Sequence, residues 1–327
     1  MNQRKPLIHI GMPKTATKTF QHWLFAEHRE IFHLGGSLRS NSRGRKSRDI
    51  RRKVKAVMGE IAYERIRKPD YQLCERMLNE VLSEPDAIGK IPVLSWEGYS
   101  MESLKIRRSR AKSLKRLFGE SRILMVIRSP IPLLEAAYIQ QLKCFNTRVT
   151  WRFGRGPYYL SIDEWLDRNF RKTDMPSIHY GETIRAFREV FGVENFNLLL
   201  FEDLVADEEN YIRNVCRIME IDPDEGVRLC LGKRDNERWT TAEIDSLKKL
   251  KGSFWQSLRY RVMSPEARKK LLGLDAKGEC KVRGDRARAE ISAEWQKRIF
   301  ELAYEGNRWV EDEFGVPLTK YGYFGNQ

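Results

Sequence analysis

Between Gly11 and Thr19 the chain reads Gly-Met-Pro-Lys-Thr-Ala-Thr-Lys-Thr, so Lys14, Thr15, Thr17, Lys18 and Thr19 gather cations and hydroxyls into one short segment. That mixture suits an anion such as a phosphate. If the segment joins a strand to a helix, its backbone N–H groups converge on the anion and the helix dipole favours negative charge there. Two other groups could share in such chemistry. Glu97 follows the apolar run Ile91–Ser95, and Arg128 follows the apolar run Arg122–Ile127, so a carboxylate and a guanidinium each fall at the end of a candidate strand. Each has a plainer reading: a basic helix start, a capping or ion-paired glutamate, an arginine paired with a carboxylate.

Positioning these groups falls to short apolar strands separated by helices. Leu7–Ile10, Ile91–Ser95, Arg122–Ile127 and Asn195–Phe201 read as strands. A helix begins at Phe20, and helical spacing marks 70–83, 103–118, 132–143, 180–191, 208–219, 240–250 and 288–312. Strands apolar on both faces, alternating with helices, imply an α/β fold with a central parallel β-sheet flanked by helices. Ligands of such sheets bind beyond the carboxyl ends of the strands, which here carry Lys14, Glu97, Arg128 and Glu202. The segment 38–55, rich in arginine and lysine, could be a rim for an anionic acceptor or a solvated basic face.

A nucleotide P-loop needs Gly, four residues, then Gly-Lys-Ser/Thr. Counting from Gly11 puts Ala16 and Thr17 where the second Gly and the Lys belong, so the pattern fails. The segment instead resembles the 5′-phosphosulfate loop of sulfotransferases, with Pro13, Lys14, Thr15, Thr17 and Gln21 matching. Ala16 stands for the usual Gly, which is tolerable if its φ is negative, and Lys18 for a Thr or Ser. Arg128-Ser129-Pro130 resembles the family's 3′-phosphate motif, in which Ala136 replaces a serine, and Tyr138 fits its ending. Leu198–Leu204 resembles the family strand ending in Glu-Asp-Leu; its acidic pair, Glu202 and Asp203, reads as structural, capping the next helix and steadying the basic loop.

The resemblance implies a P-loop nucleotide-hydrolase-like sulfotransferase fold, one domain over 1–327, with insertions at about 36–90 and 145–190 forming the acceptor side. It implies transfer of a sulfuryl group from 3′-phosphoadenosine 5′-phosphosulfate (PAPS), without a metal, to a hydroxyl acceptor. Lys14 would then serve the bridging oxygen of the leaving nucleotide. Pro13, Lys14, Thr15, Ala16, Thr17, Lys18 and Thr19 would cradle the 5′-phosphate, and Arg128 with the Ala136 position would take the 3′-phosphate. Lys281 and Arg283, in a late basic loop, are further donor-site candidates. Ser95-Trp96-Glu97 is similar to the Ser-x-Glu arrangement of glycan and many bacterial enzymes, which makes Glu97 the base and a glycan the expected acceptor.

The formal net charge of +15 suits polyanionic ligands without choosing among them. Five scattered cysteines lack metal-ligand or disulfide-framework spacing, no stretch is long enough to span a membrane, and no leader is recognisable, so the expectation is a cytoplasmic protein. The alternatives are a kinase-like phosphotransferase, which would need a metal-binding aspartate at a strand end, and a nucleic-acid- or polyanion-binding protein, suggested by the charge alone.

Overall fold

The computed structural model describes residues 4–35, 48–62, 64, 67–146, 158–170, 175–234, 239–274 and 285–325. The chain divides into two compact units: Met1–Ser129, Thr173–Asp235 and Phe300–Gln327 form one, Pro130–Lys172 and Asn236–Ile299 the other.

The first unit holds a five-stranded sheet: β1 (Leu7–His9), β2 (Ile31–Gly35), β3 (Ile91–Ser95), β4 (Arg122–Ile127) and β5 (Phe196–Leu200). All pairings are parallel and the order is β2-β3-β1-β4-β5. Leu7, Ile8, Val93, Ile123 and Met125 are buried, as parallel strands covered on both faces require. Beneath the sheet, Phe20, Leu24, Phe25, Tyr211, Ile212 and Val215 build one apolar cluster with Leu7, Val93 and Leu124. β1 lies between β3 and β4, and the chain leaves it toward β2 on one side before crossing back to β4. The carboxyl end of β1 is therefore the switch point of the sheet, where α/β folds bind ligands.

The four strands read from the sequence are present within a residue or two of their expected ends. β2 was not among them. It is an edge strand interrupted by His33, with an irregular register between His33 and Gly35, so its apolar run is too broken to announce itself. The helices over Tyr71–Leu82, Leu104–Phe118, Tyr180–Phe191 and Glu208–Met219 match the expected spans closely. The helix expected from Phe20 starts earlier, as an α-turn at Thr17–Thr19, then widens into a π-turn at Phe20–Leu24.

The second unit is helical, with Pro130–Cys144, Ile162–Phe170, Thr241–Gly252, Phe254–Val262 and Pro265–Leu271. The Tyr138 and Trp165 rings meet edge-to-face at 5.8 Å, and the Trp165 indole donates to Gln141 at 2.7 Å. Thr240 and Glu243 form a reciprocal capping box at the head of Thr241–Gly252. Among the described residues, no helix is long and apolar enough to cross a membrane.

Candidate active site

The loop after β1 stays registered to the sheet before it turns. Ile10 N–H donates to Leu124 O and Met12 N–H to Val126 O, both at 2.9 Å, so the chain runs along β4 as far as Met12. Thr15 Oγ1 then donates back to Met12 O at 2.6 Å and closes the turn. Lys14 and Ala16 both lie in the left-handed region, with φ of 67° and 62°. The condition of a negative φ at Ala16 is thus not met: alanine occupies a glycine-type conformation, which costs a non-glycine residue about 1–2 kcal/mol. Such strain concentrates at functional sites, where the surrounding structure enforces it. Here the enforcing contacts are the Thr15 hydroxyl bond, the sheet register, and Thr19 N–H, which donates to Ala16 O at 2.9 Å and starts the helix. Among the described residues, the backbone N–H groups of Thr15 and Ala16 meet no acceptor. Two free donors at a left-handed turn before a helix could donate to the hydrogen-bond acceptors of an anion.

Glu97 follows β3 directly, in the short 3₁₀ turn Glu97–Ser100. Trp96 N–H donates to His9 O at 3.0 Å, which ties this turn to the end of β1. Burial pushes the Glu97 carboxyl up from its usual range, while Lys18, the Thr17 hydroxyl and Lys14 pull it down. The Thr17 hydroxyl is close enough to act on that carboxyl, yet it lacks the alignment of a full hydrogen bond and is buried. The structure therefore gathers Lys14, Thr17, Lys18 and Glu97 at neighbouring strand ends. A carboxylate raised by desolvation and steadied by two cations is suited to take up a proton.

Below these groups runs a buried polar chain. Gln21, on the π-turn, donates through Nε2 to Ser95 O at 2.9 Å and to Ser95 Oγ at 3.0 Å. Ser95 Oγ lies 2.8 Å from His9 Nδ1. With Gln21 donating to Ser95 Oγ, the serine hydroxyl is free to donate to Nδ1, so the His9 proton sits on Nε2. Burial lowers the His9 pKa from 6.5 to about 4, which keeps the ring neutral. The chain links the helix after the loop to the strand that presents Glu97.

Arg128 reaches the loop from the end of β4: its Nη1 donates to Lys14 O at 3.1 Å, and its guanidinium lies 4.5 Å from the Phe201 ring centre. Its own carbonyl accepts from the Tyr180 hydroxyl. Glu202 sits beside it. Desolvation raises the Glu202 carboxyl, against the pull of the Ser129 N–H at 2.8 Å, the Tyr323 hydroxyl at 3.0 Å and the Arg128 charge. The Tyr321 hydroxyl donates to Asp203 at 2.7 Å, and Ser129 Oγ to Gly322 O at 3.1 Å. Glu202 and Asp203 sit in the first turn of the short helix Phe201–Ala206 that follows β5, whose N-cap position is Leu200, while the next helix, Glu208–Met219, is capped by Asp207. They clamp the C-terminal segment against the end of β4. Tyr321 and Tyr323 were invisible as site supports in the sequence, because nothing local marks a contact more than a hundred residues away.

Ala136 is buried on Pro130–Cys144, in the second unit. Lys281, Arg283 and most of the basic run from 38 lie outside the described residues. Pro13, Lys18 and Thr19 are half-buried along the loop and its helix. Among the described residues, no cluster of three histidine, cysteine or acidic side chains could hold a metal.

No family model and no curated protein matches the chain. Solved structures do resemble it in overall fold. A sulfotransferase from Alicyclobacillus acidocaldarius is 15% identical with a TM-score of 0.46, covering 84% of this chain and 98% of its own. The sulfotransferase domain from the curacin biosynthetic pathway is 11% identical with a TM-score of 0.41, covering 83% and 98%. The sulfotransferase domain of the Synechococcus PCC 7002 olefin synthase is 11% identical with a TM-score of 0.38, covering 93% and 96%. All three are similar to this α/β chain at low identity, as a likeness of fold.

Proposed function

We propose that this chain is a sulfotransferase that takes a sulfuryl group from PAPS and passes it to a hydroxyl of a carbohydrate acceptor. The observation that carries the reading is the Glu97 carboxyl, raised by burial and held by Lys14 and Lys18, beside a left-handed loop with free N–H donors. Those donors and the buried Thr17 hydroxyl fit a phosphate group, since each offers a hydrogen bond that the protein leaves open or poorly aligned.

The donor nucleotide supplies an activated sulfuryl group whose departure leaves negative charge on the bridging phosphate oxygen. Lys14 stabilises that charge as it grows. The N–H groups of Thr15 and Ala16, with the Thr17 and Thr19 hydroxyls and Lys18, hold the 5′-phosphate, and Arg128 holds the 3′-phosphate. Glu97 accepts the proton of the acceptor hydroxyl, and the raised pKa makes it a stronger base than a solvated carboxylate. A basic balance of +15 favours an acceptor that already carries negative charge.

The test is an acceptor screen by mass spectrometry with isotopically labelled PAPS, run on the native chain and on Lys14→Ala. Transfer to a hydroxylated glycan, with the variant losing far more rate than donor affinity, is the expected result. Transfer from ATP and none from PAPS would contradict the reading.

A further inference from the structure

In the second unit, the helix Phe254–Val262 buries a single side chain, Tyr260. The Tyr260 hydroxyl lies 3.4 Å from Asn146 Oδ1, and the Arg268 guanidinium lies 4.9 Å from its ring centre. Arg268 also donates to Tyr260 O and Arg261 O, both at 2.8 Å. These contacts fix which side of the helix faces inward. The other side leaves Phe254 74%, Trp255 76%, Leu258 43% and Val262 79% exposed. Residues 254, 258 and 262 fall on one line at four-residue spacing, with Trp255 alongside, its ring 5.6 Å from that of Phe254. Single exposed apolar residues are ordinary, but four grouped on a nine-residue helix mark a contact surface.

The charge around this face indicates the occupant. From Lys248 to Leu274 the chain carries eight lysines and arginines against one acid, Glu266. Lys248, Lys249, Lys251, Arg259, Arg261 and Lys270 are exposed. Aromatic and aliphatic side chains along one side of a short helix, with exposed cations on it and on the helices before and after it in the chain, suit the boundary between lipid headgroups and acyl chains. A phosphodiester backbone would satisfy the cations and leave Leu258 and Val262 in water.

We propose that this helix docks on an anionic lipid surface, with Phe254, Trp255, Leu258 and Val262 entering the interface and the surrounding cations meeting the headgroups. The helix lies on the membrane and does not cross it. The proposal is independent of the chemistry assigned to Lys14 and Glu97.

Cosedimentation of the whole protein with vesicles tests it. Vesicles containing about 30% phosphatidylserine should retain the protein, and vesicles of phosphatidylcholine alone should not. Phe254→Ser with Trp255→Ser should cut retention at least ~10-fold. Lys248→Gln, Lys249→Gln and Lys251→Gln should each cut it about 5-fold. Retention unaffected by the apolar pair would assign the surface to general polyanion binding, nucleic acid included, and overturn the proposal. Absence of retention on anionic vesicles would overturn it as well.

Discussion

Gly11→Ala should destabilise the protein through one identifiable contact. A Cβ on Gly11 would lie 2.7 Å from His9 Nε2, closer than real Cβ atoms approach, and 3.3 Å from Cε1, a tight contact. The imidazole has little room to yield, because it is buried, bonded to Ser95 Oγ at 2.8 Å and set edge-on to Phe25 at 5.8 Å. Overpacking of this kind costs ~1–3 kcal/mol, and a broken Ser95 bond adds about 1 kcal/mol. Replacing glycine returns ~0.4–1 kcal/mol from the unfolded chain. The net loss is about 2 kcal/mol, a fall in Tm of roughly 3 °C if the chain melts in one transition at ~2.1 cal/mol/K per residue. The decisive assay is a double-mutant cycle by thermal or urea unfolding, with Gly11→Ala made in the native and His9→Ala backgrounds. With the ring gone the substitution should cost almost nothing, for a coupling of about 2 kcal/mol. An equal cost in both backgrounds would refute the reasoning, since the clash would then lie elsewhere.

The remaining predictions concern the same strand ends. His9 has a folded pKa near 4 against 6.5 for a free imidazole, so its contribution is present above pH 6.5 and lost as the pH falls toward 4. Stability measured by urea unfolding should drop by up to ~3 kcal/mol across that window, and His9→Gln should flatten the slope. Ala16→Gly should leave stability unchanged or raise it by up to ~1 kcal/mol, whereas Ala16→Val should lower it by more than ~1 kcal/mol, both read by thermal melts. Glu97→Gln should reduce turnover ~100-fold or more while nucleotide affinity holds, and the acid limb of the native rate profile should lie above the usual glutamate range because burial raises that carboxyl. Tyr323→Phe should cost ~1.5–3 kcal/mol by removing a donor from the half-buried Glu202 carboxylate.

The sequence disclosed the sheet for a physical reason, since strands buried on both faces must be continuously apolar, and the loop after β1 stood out as a cluster of small, hydroxyl and cationic residues. Helices with one apolar face, such as Tyr71–Leu82 and Glu208–Met219, were legible through their period. β2 was not, because an edge strand of five residues containing His33 and ending at Gly35 carries no such run. The left-handed φ of Ala16 is not legible in the sequence, because side-chain identity normally argues against that region and only the tertiary frame around Thr15 and Met12 imposes it. The clamp of Glu202 and Asp203 on Tyr323 and Tyr321 is a purely long-range arrangement. Glu97 could be suspected from its place after a strand, but its nearness to Thr17 and Lys18 is a fact of the fold.

The central claim is that the loop and Arg128 together hold a nucleotide bearing both 5′- and 3′-phosphates. Isothermal titration with adenosine 3′,5′-bisphosphate, in the absence of metal, tests it most directly. The expected result is a single site that Arg128→Ala weakens by roughly 10–100-fold, in keeping with ~1.5–3 kcal/mol for a hydrogen bond to a charged group. Heat from ATP with magnesium and none from the bisphosphate would contradict it.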